Sequence, residues 1–405
     1  MPSLGPRAKD VHHKYPFMRE TTPASASSGA SEAIGHIPAL DGLRGIAIGL
    51  VLWHHAPDIL GFHLYRSRFW VSSKGGWLGV DLFFVISGFL ITSILLRTRG
   101  KPDALKTFWI RRAFRIFPAF YLYISVAALC LFTYIGFSPD DPLGRDPRPW
   151  LPYLFYLGNF EIMRTTYPIG ELAILWSLAI EEQFYLVWPM VVLSLPLRRI
   201  AVVCAYIITL APLVRIAMAL TLGPRGIYVF TLGRADTLIT GALLALLLAR
   251  PARRDRVLQW ARRLALPALL ILLYTVWVPY HVTKPGQCPR YWVVIGYTWV
   301  ALSCAVLVAL TVKASPLVRL VLANRPLMAL GRISYGVYLW HFLVGDLMNT
   351  FLKNHHLELT APIKGILWIA LSITAASLSW HLFEKRILKY KNRFAYRVSP
   401  SPTET

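Results

Sequence analysis

Residues 40–55 read LDGLRGIAIGLVLWHH, an apolar helix that carries Arg44 near its start and His55 eleven residues later. Ionisable groups are costly inside a membrane span and usually mark function. A rise of about 1.5 Å per residue separates the two residues by about 16 Å, roughly half the thickness of a hydrocarbon core. If Arg44 lies at the cytoplasmic surface, His55 lies near the middle of the membrane. From the residues alone, His55 is either a proton acceptor or a histidine that hydrogen-bonds a neighbouring helix.

The composition outside this helix is that of a membrane protein. Of the 405 residues 56% are apolar, and apolar stretches recur along nearly the whole chain. This predicts an all-α fold, a polytopic transmembrane helical bundle. The net charge of +23 does not indicate nucleic-acid binding, because the basic residues lie in short runs between apolar spans. Membrane topology and anionic lipid head groups explain such runs, so we expect membrane lipids and no nucleic acid among the partners. The oligomeric state is left open.

The apolar stretches divide the chain into about ten spans. Their predicted bounds are 43–62, 77–96, 113–136, 174–195, 200–221, 228–249, 264–280, 291–312, 330–350 and 362–383. The distribution of Lys and Arg fits an even number of crossings with both termini in the cytoplasm, provided that the short apolar piece at 150–160 enters the membrane without crossing it. The chain is therefore predicted to be a multi-pass protein of the cytoplasmic (inner) membrane.

Three regions follow from these spans. Residues 1–36 are polar and rich in Ser, Ala and Pro, and we predict a flexible cytoplasmic tail. Residues 37–390 form the predicted transmembrane domain, and residues 391–405 a second cytoplasmic tail.

The second span, WLGVDLFFVISGFLIT (77–92), contains a carboxylate close to its predicted outer end. Asp81 can orient an imidazole or bind a polar acceptor, or it can act only as a helix cap. Ser87 and Gly88 are small enough to allow close helix contact.

Three arginines begin the third span, in FWIRRAFRIFPAFY (108–121). Arg115 shares a helix face with Arg111 or with Arg112, because residues three and four apart are neighbours on a helix. Guanidinium groups at such a place suit phosphate or pyrophosphate recognition, and the alternative is that they only anchor the topology.

The densest polar signal is WSLAIEEQFYLVWP (176–189), where Glu181 and Glu182 interrupt an apolar span. Consecutive helix residues point about 100° apart, so the two carboxylates serve different partners. We expect one to pair with an arginine such as Arg215 or Arg234 and the other to face a wet cavity. Structural pairing of both is the alternative.

Two later stretches carry polar residues whose spacing does not indicate a particular reaction. TLGRADTLITGALLA (231–245) contains Arg234 and Asp236, and LGRISYGVYLWHF (330–342) contains Tyr338 and His341 on one helix face. A buried histidine bonded to a neighbour is the plainer interpretation of His341. The cysteines show no spacing typical of a metal site, and we predict none.

Together, and in this order, these segments resemble the acyltransferase family 3 membrane O-acyltransferases over roughly residues 37–390. The resemblance rests on LDGLRG followed by His55, on GVDLFFVISGFLIT, on RRAFRIFPAFY, on WSLAIEEQFYLVWP and on ISYGVYLWHF. Members of that family move acetyl or other short acyl groups, usually from cytoplasmic acyl-CoA, to hydroxyls of extracytoplasmic saccharides. Others acylate antibiotics or lipid-linked saccharides.

The resemblance places the family's arginine-to-histidine spacing on Arg44 and His55, its RxxR motif on Arg112 and Arg115, and the acidic residue of its WSLxxEexFY motif on Glu181. The remaining roles are predicted from the residues themselves. His55 becomes the catalytic base or acyl carrier, assisted by Glu181, Glu182 and Asp81. The donor-binding set is Arg44, Arg111, Arg112 and Arg115, and the set that is structural or orients the substrate is Trp176, Ser177, Arg234, Asp236, Tyr338 and His341. The sequence departs from many relatives at FEKR (383–386), where they have Glu-x-Pro, and in carrying His54 beside His55.

The resemblance further implies a co-substrate, acyl-CoA and most simply acetyl-CoA, with no bound cofactor. The acceptor is a saccharide hydroxyl in an exopolysaccharide, lipopolysaccharide or lipid-linked sugar. Three alternatives stay open: a transporter or flippase for a lipid-linked saccharide, an acyltransferase acting on a small metabolite, and a structural subunit of an export complex.

Overall fold

A computed structural model of the chain describes residues 36–61, 73–136, 150–164, 170–221, 224–282 and 292–396, and these belong to one compact unit. The predicted tail at 1–36 lies outside the described residues except for its last residue, and so does the end of the second tail, from residue 397. The described residues contain no β-strand. The all-α prediction is therefore confirmed.

Seventeen α-helices follow one another along the described chain. In the first part these are α1 (Pro38–Leu60), α2 (Leu78–Thr98), α3 (Ala104–Cys130), α4 (Trp150–Leu154), α5 (Gly158–Arg164), α6 (Leu175–Ser194), α7 (Leu197–Thr221), α8 (Pro224–Val229) and α9 (Thr231–Leu248). In the second part they are α10 (Pro251–Arg263), α11 (Ala265–Val282), α12 (Tyr297–Val312), α13 (Pro316–Leu322), α14 (Arg325–Arg332), α15 (Ser334–Asn354), α16 (Ala361–Leu378) and α17 (Lys385–Leu388).

Local sequence signals explain where several helices begin and end. Helix α1 has Pro38 at its first position, where the missing N–H is not needed, and it ends at Gly61 with φ +72°, a left-handed conformation that glycine adopts readily. The side chain of Asn324 caps α14 by accepting a hydrogen bond from the backbone N–H of Leu327 at 3.0 Å. A sharp bend of 73° separates α14 from α15. This bend brings the start of α15 beside Arg44 of α1.

Each of the ten predicted spans contains one long helix. Not all of these helices are both long enough and apolar enough to cross a membrane. By length and composition, six helical segments of the described chain could cross a membrane, or up to eight if two bent pairs each form one span. Helices α1 and α6 are not among them, because their ionisable residues lower their mean hydropathy. The chain is a multi-pass helical membrane bundle, and the number of ten crossings stays a prediction.

The apolar piece at 150–160 forms parts of two short helices, α4 and α5, of five and seven residues. Neither approaches the roughly 20 residues that a helix needs to cross the hydrocarbon core. The structure thus agrees with a segment that does not cross by itself.

Helices α2 and α9 pack closely against each other. A Cβ atom added to Gly88 would lie 1.8 Å from the carbonyl oxygen of Leu238, and one added to Gly241 would lie 2.0 Å from that of Val85. Small residues at a helix interface let the backbones approach in this way. The close contact expected at Gly88 is therefore present, with α9 as its partner.

This contact yields a stability prediction. We expect Gly88→Ala to destabilise the protein by about 1 to 3 kcal/mol, because the new methyl group overlaps the backbone of α9. Gly49→Ala in α1 is the matched control: no atom lies within 4 Å of its added Cβ, so alanine should be neutral or stabilising. Thermal unfolding of both variants in detergent measures the difference. Equal melting temperatures would contradict the proposed packing.

Candidate active site

Helix α1 carries Arg44 and His55 into two different environments. The Nη2 atom of Arg44 donates a hydrogen bond to the Ser334 hydroxyl at 3.2 Å, at the start of α15. His55 lies three turns further along α1, where its ring is half-buried. Helices α1 and α15 pack together, so both ends of this stretch of α1 face residues of α15.

His55 is in contact with a second histidine, His341 of α15. The Nδ1 atom of His55 lies 3.1 Å from the Nε2 atom of His341, and the two ring centroids are 5.0 Å apart. His341 is fully buried. The two residues are 286 positions apart in the sequence. The plainer interpretation of His341, a buried histidine bonded to a neighbour, is confirmed, and the neighbour is the principal catalytic candidate.

Backbone carbonyls fix where the protons of this pair lie. The Nδ1 atom of His341 is 2.7 Å from the carbonyl oxygen of Tyr338, and since a carbonyl only accepts, this nitrogen carries the proton. In the neutral ring, Nε2 of His341 is then an acceptor. The Nδ1 atom of His55 faces that acceptor and the carbonyl oxygen of Val51, 3.1 Å away, so it carries the proton of His55. The lone pair of His55 is consequently on Nε2.

A cavity of about 480 Å³ lies beside this pair. It follows α2 from Ile94 to Val80, a distance of about 21 Å at the helical rise per residue. At the Val80 end, the neighbouring Gly79 packs against Val51 of α1, one helical turn before His55. His55 is not among the residues that line the cavity. Tyr338 lines it, and the ring of Tyr338 lies 5.8 Å between centroids from that of His341, the residue in contact with His55.

The opposite end of the cavity is strongly basic. Six basic side chains line the cavity: Arg44, Arg111, Arg112, Arg115, Arg332 and Lys391. Three carboxylates also line it: Glu181, Glu182 and Glu384. All four arginines predicted to bind a donor are therefore brought to one cavity. Arg111, Arg112 and Arg115 come from the same helix, α3, as their spacing predicted.

The carboxylates of α6 occupy the wall of the cavity. The Tyr185 hydroxyl donates to Oε2 of Glu181 at 3.3 Å and also contacts the Ser87 hydroxyl. The positive charges of Arg112 and Arg44 act on Glu181. Glu182 is half-buried beside it. Both carboxylates face the cavity, so the expected division between a paired and a cavity-facing carboxylate is wrong.

The partner expected for one of them is wrong as well, because Arg215 and Arg234 are engaged elsewhere. Arg234 donates to Asp81 at 2.5 Å, and Arg215 donates to Asp236 at 3.0 Å. All four side chains are fully buried. Asp81, predicted to orient an imidazole, bind a polar acceptor or cap its helix, instead lies in the α2–α9 ion pair with Arg234, and the imidazole of His55 contacts His341.

Three further candidates lie between the cavity and the histidines. The Tyr338 hydroxyl and the Ser177 hydroxyl are 2.6 Å apart, and both line the cavity. Tyr338 lies one turn before His341 on α15, with ring centroids 5.8 Å apart. Trp176 is buried against Phe84 and Tyr228, with ring centroids 6.1 and 4.6 Å away. Ser177 and Tyr338 thus form part of the cavity wall, whereas Trp176 supports it.

Several cavity residues were absent from the predicted site. Sequence reasoning noted Glu384 and the basic C-terminal run only as a motif departure and as topology anchors. Ser87 was expected only to allow close helix contact, and Tyr185, Ser334 and Tyr396 were not predicted to have a role. Sequence spacing gives no signal for Lys391 or Tyr396, because they reach the cavity only through the folding of the chain after α16.

The chain was compared with known proteins. A family model described as an acyltransferase domain, Acyl_transf_3, matches residues 37–381. The chain is 32% identical over 383 residues to a putative peptidoglycan O-acetyltransferase, YrhL, of Bacillus subtilis, covering 87% of this chain and 55% of that protein. It is 31% identical over 381 residues to the peptidoglycan O-acetyltransferase OatA of Listeria monocytogenes, covering 87% and 56%.

A third relative is the O-acetyltransferase OatA of Staphylococcus aureus, 31% identical over 369 residues, with 87% of this chain and 57% of that protein covered. The chain spans about half the length of the curated relatives it matches. No solved structure matches it.

The buried ion pair between Asp81 and Arg234 yields a second stability prediction. We expect Asp81→Ala to cost about 3 to 5 kcal/mol, because it leaves the guanidinium of Arg234 buried without its carboxylate. Removing both charges, in Asp81→Asn with Arg234→Met, should restore part of that loss. The readout is thermal unfolding of the purified protein, with Arg319→Ala on exposed α13 as the control. A single variant as stable as the wild type would refute a structural role for the pair.

Proposed function

Because the chain belongs to acyltransferase family 3, as the match over residues 37–381 shows, we propose that it is a membrane O-acyltransferase. In this proposal it moves an acyl group, most simply acetyl, from cytoplasmic acyl-CoA to a hydroxyl of an extracytoplasmic saccharide. The observation that carries the proposal is the cavity, whose wall contains both a cluster of cations and Tyr338, the neighbour of the His341 ring that contacts His55.

The charge distribution in the cavity supports a phosphate-bearing donor. The arginines of α3 with Arg44 and Lys391 form a concentrated positive surface at one end. Guanidinium groups bind phosphates with paired hydrogen bonds. Acyl-CoA carries its phosphates at the end opposite to the thioester. In the proposed complex the phosphates contact the arginines, and the uncharged arm runs along α2 towards His55.

The tautomer of His55 supports its role as the acceptor of a proton or of an acyl group. In the base mechanism, Nε2 removes the proton of the acceptor hydroxyl while the oxygen attacks the thioester carbon. A C–O ester bond forms, the C–S bond breaks, and the proton passes to the departing thiolate to give free CoA. In the carrier mechanism, Nε2 attacks the thioester first and then passes the acyl group to the hydroxyl. Both mechanisms need the lone pair on Nε2.

His341 acts in this proposal as a positioning residue. Its own Nδ1 is fixed by the Tyr338 carbonyl, and its Nε2 accepts from Nδ1 of His55. This contact holds the His55 ring in one orientation and one tautomer. In catalytic triads, too, the base is oriented by a hydrogen bond to a third residue.

The acceptor is proposed from the relatives. Two of them are named as peptidoglycan O-acetyltransferases, one of the two as a putative one. We therefore propose a cell-envelope saccharide as the acceptor, and peptidoglycan is the first to be tested. The carboxylates of Glu181 and Glu182 in the cavity wall are available to hold hydroxyl groups.

The first functional prediction concerns His55. We expect His55→Ala to lower acyl transfer by about 100-fold or more, the scale of general acid–base catalysis. His54→Ala, which removes the adjacent histidine, should retain most of the rate. The assay follows labelled acetyl from acetyl-CoA into saccharide fragments with purified protein. A transporter would consume no acetyl-CoA in this assay, and full activity of His55→Ala would remove His55 from the mechanism.

The second functional prediction concerns His341. We expect His341→Ala to lower kcat by about 5- to 150-fold, corresponding to the roughly 1 to 3 kcal/mol of a buried hydrogen bond, with little change in the KM of the donor. His341→Gln should recover part of kcat, since its amide oxygen can accept from His55. Steady-state kinetics on both variants tests this. If His341→Gln and His341→Ala have the same kcat, a hydrogen bond accepted from His55 is not what His341 contributes.

A further inference from the structure

The C-terminal segment, defined here as residues 384–396, extends beyond the family match, which ends at residue 381. This segment nevertheless forms part of the cavity wall, through Glu384, Lys391 and Tyr396. Lys391 and Tyr396 are half-buried there, whereas Lys389 and Arg393 of the same segment are exposed. Since Lys385 and Arg386 are exposed too, the segment directs one cation and one phenol inwards and four cations outwards.

Arg111 attaches this segment to α3. Its Nη1 atom donates to the carbonyl oxygens of Lys391 at 3.2 Å and of Phe394 at 2.8 Å. Phe394 stacks on Phe114 of α3, with ring centroids 5.7 Å apart. The Arg111 guanidinium also lies 5.7 Å from the ring centroid of Tyr396. Arg111 was predicted to bind the donor directly. Through these contacts its guanidinium also holds the C-terminal segment against α3.

The cations gathered by this arrangement outnumber the carboxylates beside them, because six basic side chains and three carboxylates line the cavity. Among the ion pairs between described residues, none includes Arg111, Arg112, Arg115 or Lys391. The positive charges of all three arginines act on the Lys391 ammonium group. Like charges at short range repel one another, and the repulsion is strongest where water is excluded. An anion between them would relieve it.

Tyr396 adds a neutral donor to the same place. Burial raises the pKa of its phenol, so the hydroxyl keeps its proton at neutral pH and can donate a hydrogen bond. A phenol beside an ammonium group and several guanidinium groups forms a set of donors that suits phosphate oxygens.

We propose that the C-terminal segment completes the donor site and that Lys391 and Tyr396 bind a phosphate group of the acyl donor, with Arg111 as the positioning residue of the segment. This inference rests on the proposed function in taking acyl-CoA as the donor. The phosphates of CoA bring further negative charge to a cavity in which basic side chains outnumber carboxylates by six to three.

The test separates phosphate recognition from general effects on folding or catalysis. The variants are Lys391→Ala and Tyr396→Phe, with Lys389→Ala and Arg393→Ala as controls that remove the same charge from exposed positions of the same segment. Binding of CoA to each purified protein is measured by isothermal titration, which requires no turnover. Transfer is then compared for acetyl-CoA and for S-acetyl-N-acetylcysteamine, an acetyl thioester without phosphates.

We expect the Kd of CoA to rise about tenfold in Lys391→Ala and several-fold in Tyr396→Phe, the size of a lost hydrogen bond to a charged group. In Lys391→Ala, the ratio of kcat/KM for acetyl-CoA to that for the phosphate-free thioester should fall about tenfold. Both controls should bind CoA like the wild type.

Two results would overturn the inference: an unchanged Kd in Lys391→Ala, or an equal loss of kcat/KM with both thioesters, which would indicate a structural effect. Failure of the proposed function has a different signature. If the wild type binds CoA but transfers no acetyl group, the acyltransferase proposal fails while the binding comparison still decides the roles of Lys391 and Tyr396.

Discussion

A charge inside a membrane-spanning helix must be compensated within the protein, because the hydrocarbon core provides no water to solvate it. This constraint organises the whole bundle. Its apolar helices carry two groups of ionisable residues that meet the constraint in opposite ways. Asp81, Arg234, Arg215 and Asp236 neutralise one another in full burial. The arginines of α3 and their neighbours instead surround a cavity, where a ligand can complete the compensation.

The neutralised group builds the frame on which the cavity depends. The Asp81–Arg234 pair joins α2 to α9, and the Arg215–Asp236 pair joins α7 to α9. Close packing through Gly88 and Gly241 acts on the same α2–α9 contact. Since α2 lines the cavity along about 21 Å, these contacts fix one wall of the cavity. Residues that appear catalytic in the sequence because they are charged therefore serve the site from a distance.

The sequence predicts the helices well because each long helix needs its own apolar stretch, and such stretches are local. It also places Arg111, Arg112 and Arg115 together, since helical spacing is local too. The choice of partners is not local. The Asp81–Arg234 contact joins residues 153 positions apart, and the His55–His341 contact joins residues 286 apart. Which carboxylate meets which arginine depends on which helices are neighbours, and spacing along the chain does not contain that information. Lys391 illustrates the same limit, because in the sequence it belongs to a basic run of the kind that anchors topology.

The distance between the cations and His55 has a chemical meaning in the proposed reaction. Phosphates are far more costly to bring into an apolar site than an uncharged thioester arm. A donor site that holds the phosphates at one end, and leads only the arm past Phe83, Phe84 and Leu90, avoids that cost. The spacing of Arg44 and His55 along a single helix is then a requirement of the chemistry: the helix must be long enough to hold the donor's charge at one level and its reactive carbon at another.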